Sequence, residues 1–280
     1  MRFSWAVLLG VMACLSVAAA VRVSPVAVSA TPAGVVVLGA DGQLALATWN
    51  SNGNFQPIGR IYTVVLDMAA GVIDGKLAIF VVSLAGDRKS SVVTQYLGNG
   101  REVRNWLKAG VRLSGIALDS AGETIYVTGG PGSSIYTIAL RGEVAPRLLC
   151  SVASMDQIGS ITVDSPHGRL FVSDISRGDV YAIDLATKSA KQVATSLGDV
   201  SALAFDPQLG ALYIADSLGR IWKTDPSAPA GKAVRLPVKE PLREPLGLSL
   251  GPDGDLLLGD RATGDVLEIK PSGIVSRRFH

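Results

Sequence analysis

Along most of this chain, hydrophobic and polar positions alternate in a phrase that returns every 42 to 46 residues. Each phrase is an apolar strand, a short turn rich in Asp, Gly and Ser, and a second strand. Three copies are close: LFVSDISRGDVYAID from Leu170, LYIADSLGRIWKTD from Leu212 and LLLGDRATGDVLEIK from Leu256. IYVTGGPGSSIYTIAL from Ile125 keeps the pattern with a Gly-rich turn, and VVVLGADGQLALATW from Val35 aligns on the Leu212 copy through the turn. One hydrophobic position anchors the series at Val36, Phe80, Tyr126, Phe171, Tyr213 and Leu257, at intervals of 44, 46, 45, 42 and 44 residues. A repeat of this length made of strands alone predicts a β-propeller. Six copies predict an all-β fold of six four-stranded antiparallel blades.

The blades divide the chain at approximately 22–63, 64–109, 110–153, 154–197, 198–243 and 244–280, forming one domain. In each, a short apolar first strand (a) is expected where sheets converge on an axis: Val26–Ser29, Val65–Ala69, Gly115–Asp119, Ser160–Asp164, Ala202–Asp206 and Gly247–Leu250. Both ends of the series carry complete blades, which predicts a ring closed by packing alone; a swapped N-terminal strand is the alternative. Pro226, Pro229, Pro237, Pro241 and Pro245 crowd the passage from blade 5 to blade 6. They predict an extended, edge-exposed connection after an outer strand at Ala233–Val238.

The first 20 residues differ from the rest. A basic Met1-Arg2 start, an uncharged run from Trp5 to Val17 and Ala18-Ala19-Ala20 read as a secretory signal peptide, residues 1–20. Cleavage is expected after Ala20, with Ala30 as a second site. Val-Met-Ala-Cys14 is similar to a bacterial lipobox, which leaves lipid anchoring at Cys14 as an alternative. The uncharged run is short for a membrane span, so no stable insertion is expected after cleavage. An exported chain of this kind would be periplasmic or extracellular. Cys150 would then be the lone cysteine of the mature protein, without an internal disulfide and expected as a small buried side chain.

Composition narrows the classes of partner. Hydrophobic residues make up 48% and charged residues 18% of the 280, which excludes a disordered chain. Lys and Arg total 26 against 24 Asp and Glu, a formal net charge of +2, so nothing points to nucleic acid.

Asp174, Asp216 and Asp260 end the second strand (b) of three successive units. They are read as structural turn residues, accepting backbone N–H bonds as Asp does in Asx-turns. Equivalent positions in neighbouring blades lie around a ring, which does not gather three carboxylates on one cation. His167 in Ser165-Pro166-His167-Gly168 and His280 stand alone, and neither position suggests a Ser-His-Asp triad. Gly129-Gly130-Pro131-Gly132-Ser133-Ser134 lacks the Lys and helix of a phosphate loop and reads as a hairpin turn.

Blade 6, PLGLSLGPDGDLLLGDRATGDVLEI, resembles the NHL-type repeat, and blade 4, RLFVSDISRGDVYAIDLAT, resembles the YVTN-type repeat. More distantly the chain is similar to the six-bladed gluconolactonase, senescence-marker and strictosidine-synthase-like propellers. That resemblance implies metal ligands around the channel mouth, just before the Gly that opens strand a. Those positions here are Ser114, Gly159, Ser201 and Leu246, with a carboxylate only at Asp67 in blade 2. No catalytic residue and no cofactor are therefore expected, and Asp67 is the one weak candidate for a loosely bound divalent cation. The chain reads as an exported, non-enzymatic binding scaffold for an unidentified protein, small-molecule or glycan ligand. The alternative is a metal-dependent lactonase or related ester hydrolase.

Overall fold

The computed structural model describes residues 22–108, 110–142, 145–228 and 233–280. The expected signal segment with Cys14, and Pro229, lie outside the described residues. Those residues form six four-stranded antiparallel sheets, each built from four consecutive strands, with a single 3-10 turn at Ser165–His167. The sheets are the blades of a six-bladed β-propeller.

Period-two alternation explains the ring. Along strand b of blade 4, Leu170 and Val172 pack toward blade 3, while Phe171 between them packs toward blade 5. Leu212 and Ile214 face blade 4 while Tyr213 faces blade 6. In blade 1, Val35 and Val37 face blade 6 while Val36 and Leu38 face blade 2. Both faces of strand b are thus core, which is why it reads as a near-continuous apolar run. Six hydrophobic clusters result, one between each adjacent pair of blades. Each buried anchor such as Phe80, Phe171 or Leu257 contributes about 1.5–3 kcal/mol by leaving water.

The ring closes without a shared blade. Phe279 of blade 6 packs on Phe55 of blade 1, ring centroids 6.0 Å apart. His280 is held across the seam by backbone bonds, donating to the Gly53 carbonyl at 2.9 Å and accepting from Phe55 N–H at 3.3 Å. Gly247 lies at the inner end of the same seam. A Cβ there would stand 2.6 Å from Val28 N and 2.8 Å from Ala27 Cα, and its φ of +73° is also in the left-handed region. Only glycine fits that approach.

The inner strands run from Pro25–Thr31, Val65–Ile73, Leu113–Asp119, Ile158–Asp164, Val200–Asp206 and Pro245–Leu250. Most begin one or two residues before the expected positions. The cause is a bulge at the start of every one of them. Strand a carries one residue more than strand b between Pro25 and Ala27, Val65 and Asp67, Leu113 and Ile116, Ile158 and Ile161, Val200 and Ala202, and Leu246 and Leu248. The outer strand of blade 5 shrinks to Val234–Arg235, shorter than Ala233–Val238, because Pro237 cannot donate to the ladder. Cys150 lies on the outer strand of blade 3 and is half-buried rather than buried; that burial pushes its thiol up.

Candidate ligand site at the propeller axis

Antiparallel alternation places the start of strand a, the turns between the second and third strands, and the connections from each fourth strand to the next strand a on one face, here called the upper face. A cavity of about 460 Å³ opens on the axis there, lined by the first residues of all six inner strands. Its wall is mainly apolar, including Val28, Met68, Ile116, Ile161, Leu203 and Leu248. The bulged residues reach it directly: Val26, Leu66, Ser114, Gly159, Ser201 and Gly247 all line it. Leu246, Ser160, Asp199 and Ser217 complete much of the polar and apolar rim.

The sequence-derived mouth positions Ser114, Gly159, Ser201, Leu246 and Asp67 therefore share one cavity. Asp199, Ser217 and Ile175 belong to it as well, from connections whose approach to the axis leaves no periodic signal. Asp67 stands on the inner strand of blade 2. Its Oδ1 accepts the Met68 N–H at 2.8 Å and its Oδ2 accepts the Ile116 N–H of blade 3 at 3.0 Å. The bulge in blade 3 takes Ile116 N–H to a neighbouring blade, and the carboxylate supplies its acceptor. Desolvation within the narrow cavity pushes Asp67 up to about 7, against the lowering effect of its two backbone N–H bonds. Other polar side chains stitch inner strands together in the same way. Ser29 bonds Ala70 and Ser249 accepts Ala30 N–H, while Thr128, on the second strand of blade 3, reaches the Gly159 carbonyl of blade 4 at 2.5 Å.

The rim does not fit a hard divalent cation, which takes six to eight oxygen ligands. Of its two carboxylates, Asp67 is held by two N–H donors and Asp199 stands exposed at the mouth, and their neighbours are serines, glycines and aliphatic side chains. Among the described residues, no three or more His, Cys, Asp or Glu side chains are grouped to hold a metal.

Asp174, Asp216 and Asp260 lie on the same face but not in the cavity wall, each fully buried at the end of its strand b. Asp174 accepts the N–H groups of Asp156, Gln157 and Ser176 at 2.8, 3.3 and 3.1 Å. Asp260 does the same for Arg243, Glu244 and Ala262 at 2.9, 3.2 and 3.1 Å. Asp216 accepts from Leu218 and Arg220 N–H and also carries the side chains of Arg220 and Trp222. A second tier, Asp119, Asp164 and Asp206, ends three inner strands at the opposite face and is also buried. His167 joins Asp164 there at 2.9 Å, with Arg169 at 2.6 Å, at the face opposite the cavity mouth. The Gly129–Ser134 segment is a hairpin turn between paired strands.

No protein-family model and no curated protein sequence matches the chain. Among solved structures it is similar to a chain of a nidogen/laminin complex, at 19% identity and a TM-score of 0.71, covering 90% of this chain and 92% of that one. It is also similar to streptogramin B lyase, at 12% identity and a TM-score of 0.63, covering 93% of this chain and 84% of that one. At these identities the likeness is one of fold, shared by a member of a protein complex and a lyase.

Proposed function

We propose that the chain is an exported, non-enzymatic binding propeller whose ligand enters the axial cavity from the upper face. The observation that supports this most is the cavity itself. Its volume of about 460 Å³ lies in the range of small-ligand sites, and its wall is mainly apolar with a few fixed polar groups. On the same face, Tyr62, Val64 and Leu218 stand exposed on connections, Tyr62 at 89% and lining a separate depression with Ile61 and Leu84. An exposed aromatic beside a pocket suits the anchoring of a larger partner. Participation of a similar propeller in the nidogen/laminin complex is consistent with that use.

The test is ligand-detected NMR with a fragment set against the wild type and a Leu246→Trp variant, whose indole would fill the cavity. Fragments should bind the wild type and lose binding in the variant. Equal binding by both would sink the cavity as the site. Opening of simple sugar lactones by the wild type with calcium, zinc or magnesium would replace the non-enzymatic reading by the lactonase. Export is supported by the Arg2 start, the uncharged run and Ala18–Ala20. Mass spectrometry of exported protein should find an N-terminus at Val21, or secondarily Thr31; an intact Met1 in the membrane fraction refutes it.

A further inference from the structure

We propose that the axial cavity binds a primary alkylammonium group, with Asp67 as its counter-ion and the apolar wall around its stem. This rests on the reading of the cavity as the ligand site and names the chemistry that site takes.

Charge is the first argument. The six inner strands carry no Lys, Arg or His. Among the described residues, the cavity wall holds two carboxylates, Asp67 within it and Asp199 exposed at the mouth, and no cation. Arg112 lies on an adjoining depression that shares Leu66 and Ser114 with the cavity, but it does not line the cavity. Asp119, Asp164 and Asp206 stand at the far ends of their strands. Asp67 is thus a half-buried carboxyl with no counter-charge among the described residues of the wall, and the cost of ionising it is relieved by a cation brought from outside.

Hydrogen-bond polarity is the second. Each Asp67 oxygen holds one backbone N–H and keeps a further lone pair. The Ser114 hydroxyl donates to the Ile158 carbonyl at 3.1 Å, and the Ser201 hydroxyl to the Ala215 carbonyl at 3.2 Å. Both hydroxyl protons are spent inside the wall, which leaves acceptor lone pairs for a ligand. Ser160 and Ser217 supply hydroxyls of either role. An ammonium group has three donors and no acceptor, and so matches a wall of acceptors. The aliphatic side chains around them suit a methylene stem, each buried CH₂ adding about 0.8 kcal/mol.

A proton balance follows. Asp67 is pushed up to about 7 by desolvation, with no charged neighbour contributing. Near neutral pH a fraction of the molecules carry the carboxylic acid, and binding of the ammonium releases that proton to buffer. The cation's apparent affinity scales with the ionised fraction of Asp67.

The experiment is calorimetric titration of the full chain with n-hexylamine, 1-hexanol and hexanoate between pH 6 and pH 8, in two buffers of different ionisation enthalpy. Hexylammonium should bind about tenfold more tightly at pH 8 than at pH 6, the ratio of ionised fractions. Proton release should accompany binding and be largest at the acid end of the range. Hexanol should bind more weakly and without pH dependence, and hexanoate should not bind. Asp67→Asn should bring hexylammonium to the level of hexanol; if that variant misfolds, the pH profile and proton release of the wild type carry the test. Nα-acetyl-lysine amide distinguishes the source: binding like hexylamine assigns the site to a partner's lysine, and binding of hexylamine alone to a free amine. Equal, pH-independent binding of hexylammonium and hexanol would overturn the ammonium while keeping the cavity. Failure of all three ligands would overturn it too, and the fragment experiment would then decide the fate of the cavity separately.

Discussion

Arg220 Nε lies 2.6 Å from Oδ2 of Asp216, a carboxylate with no solvent-exposed surface. The same guanidinium donates to the Leu197 carbonyl of blade 4 at 2.9 Å and stacks over Trp222 at 5.1 Å, while Trp222 Nε1 bonds Asp216 at 2.8 Å. Asp216 therefore joins its own turn to the neighbouring blade through charge. Asp174 has only a 3.9 Å ion pair with Arg177, and the Arg261 beside Asp260 pairs with Glu244 instead. Repeat-equivalent positions are thus energetically unequal. Asp216→Ala should cost about 3–5 kcal/mol, because it strands a partly buried arginine as well as turn N–H groups. Asp174→Ala and Asp260→Ala should cost about 1–3 kcal/mol each. Urea unfolding of the three variants measures this, and equal losses would show that the Arg220 pair adds nothing.

Gly247→Ala should loosen the seam between blades 6 and 1. Its Cβ would meet the Ala27–Val28 backbone, and its positive φ adds strain, together about 2–4 kcal/mol. Gly254 has φ +79° and open space where a Cβ would stand, with no atom within 4 Å, so Gly254→Ala reports the backbone strain alone. The difference between their melting temperatures isolates the contact across the seam; similar losses would mean the approach relaxes freely.

Asp67 gives stability a pH dependence of unusual sign for a carboxylate. Its folded-state value of about 7 lies above the ordinary value near 4, so between those limits the folded protein holds a proton the unfolded chain has lost. Stability from this group therefore falls as pH rises through the window, by up to about 1.4 kcal/mol per pH unit. Asp67→Asn should flatten the wild-type slope between pH 5 and pH 7 in denaturant titrations. Parallel slopes would place Asp67 outside the desolvated wall.

Divalent cations should bind the mouth weakly. Two serines, a glycine and a leucine at the rim cannot replace the water shell of a small dication, and Asp67 already serves two N–H donors. Calorimetry with calcium, magnesium and zinc should detect no site of micromolar or tighter affinity, and a chelator should leave the melting temperature unchanged. A stoichiometric tight site would favour the lactonase.

The fold was legible because a strand buried on two faces must repeat its apolar run, as Tyr213 and Phe171 do between their flanking Leu and Val or Ile residues. The mouth was partly legible, since Ser114, Gly159 and Ser201 are each the second residue of an inner strand and recur at repeat intervals. The bulges were not, because one inserted residue leaves hydrophobic alternation intact on either side of it. Nor was the enclosure of Asp67, which depends on Ile116 of a different blade. Asp199 and Ser217 reach the cavity from connections, where no periodicity constrains side-chain direction. The seam contact of Phe55 with Phe279 joins residues from opposite ends of the repeat series, beyond any local pattern.

Because the inserted residue of each inner strand falls outside the one-to-one ladder, strand pairing does not fix its identity, except at Gly247, where the seam admits only glycine. Positions such as Val26, Leu66 and Ser201 can exchange identity while the pairing on either side stays in register. Gly247 apart, the mouth then behaves as a set of exchangeable letters in a constant frame. New specificity can be written there one substitution at a time, and an engineer could spell a metal centre, an anion cradle or a wider aperture on the same six blades.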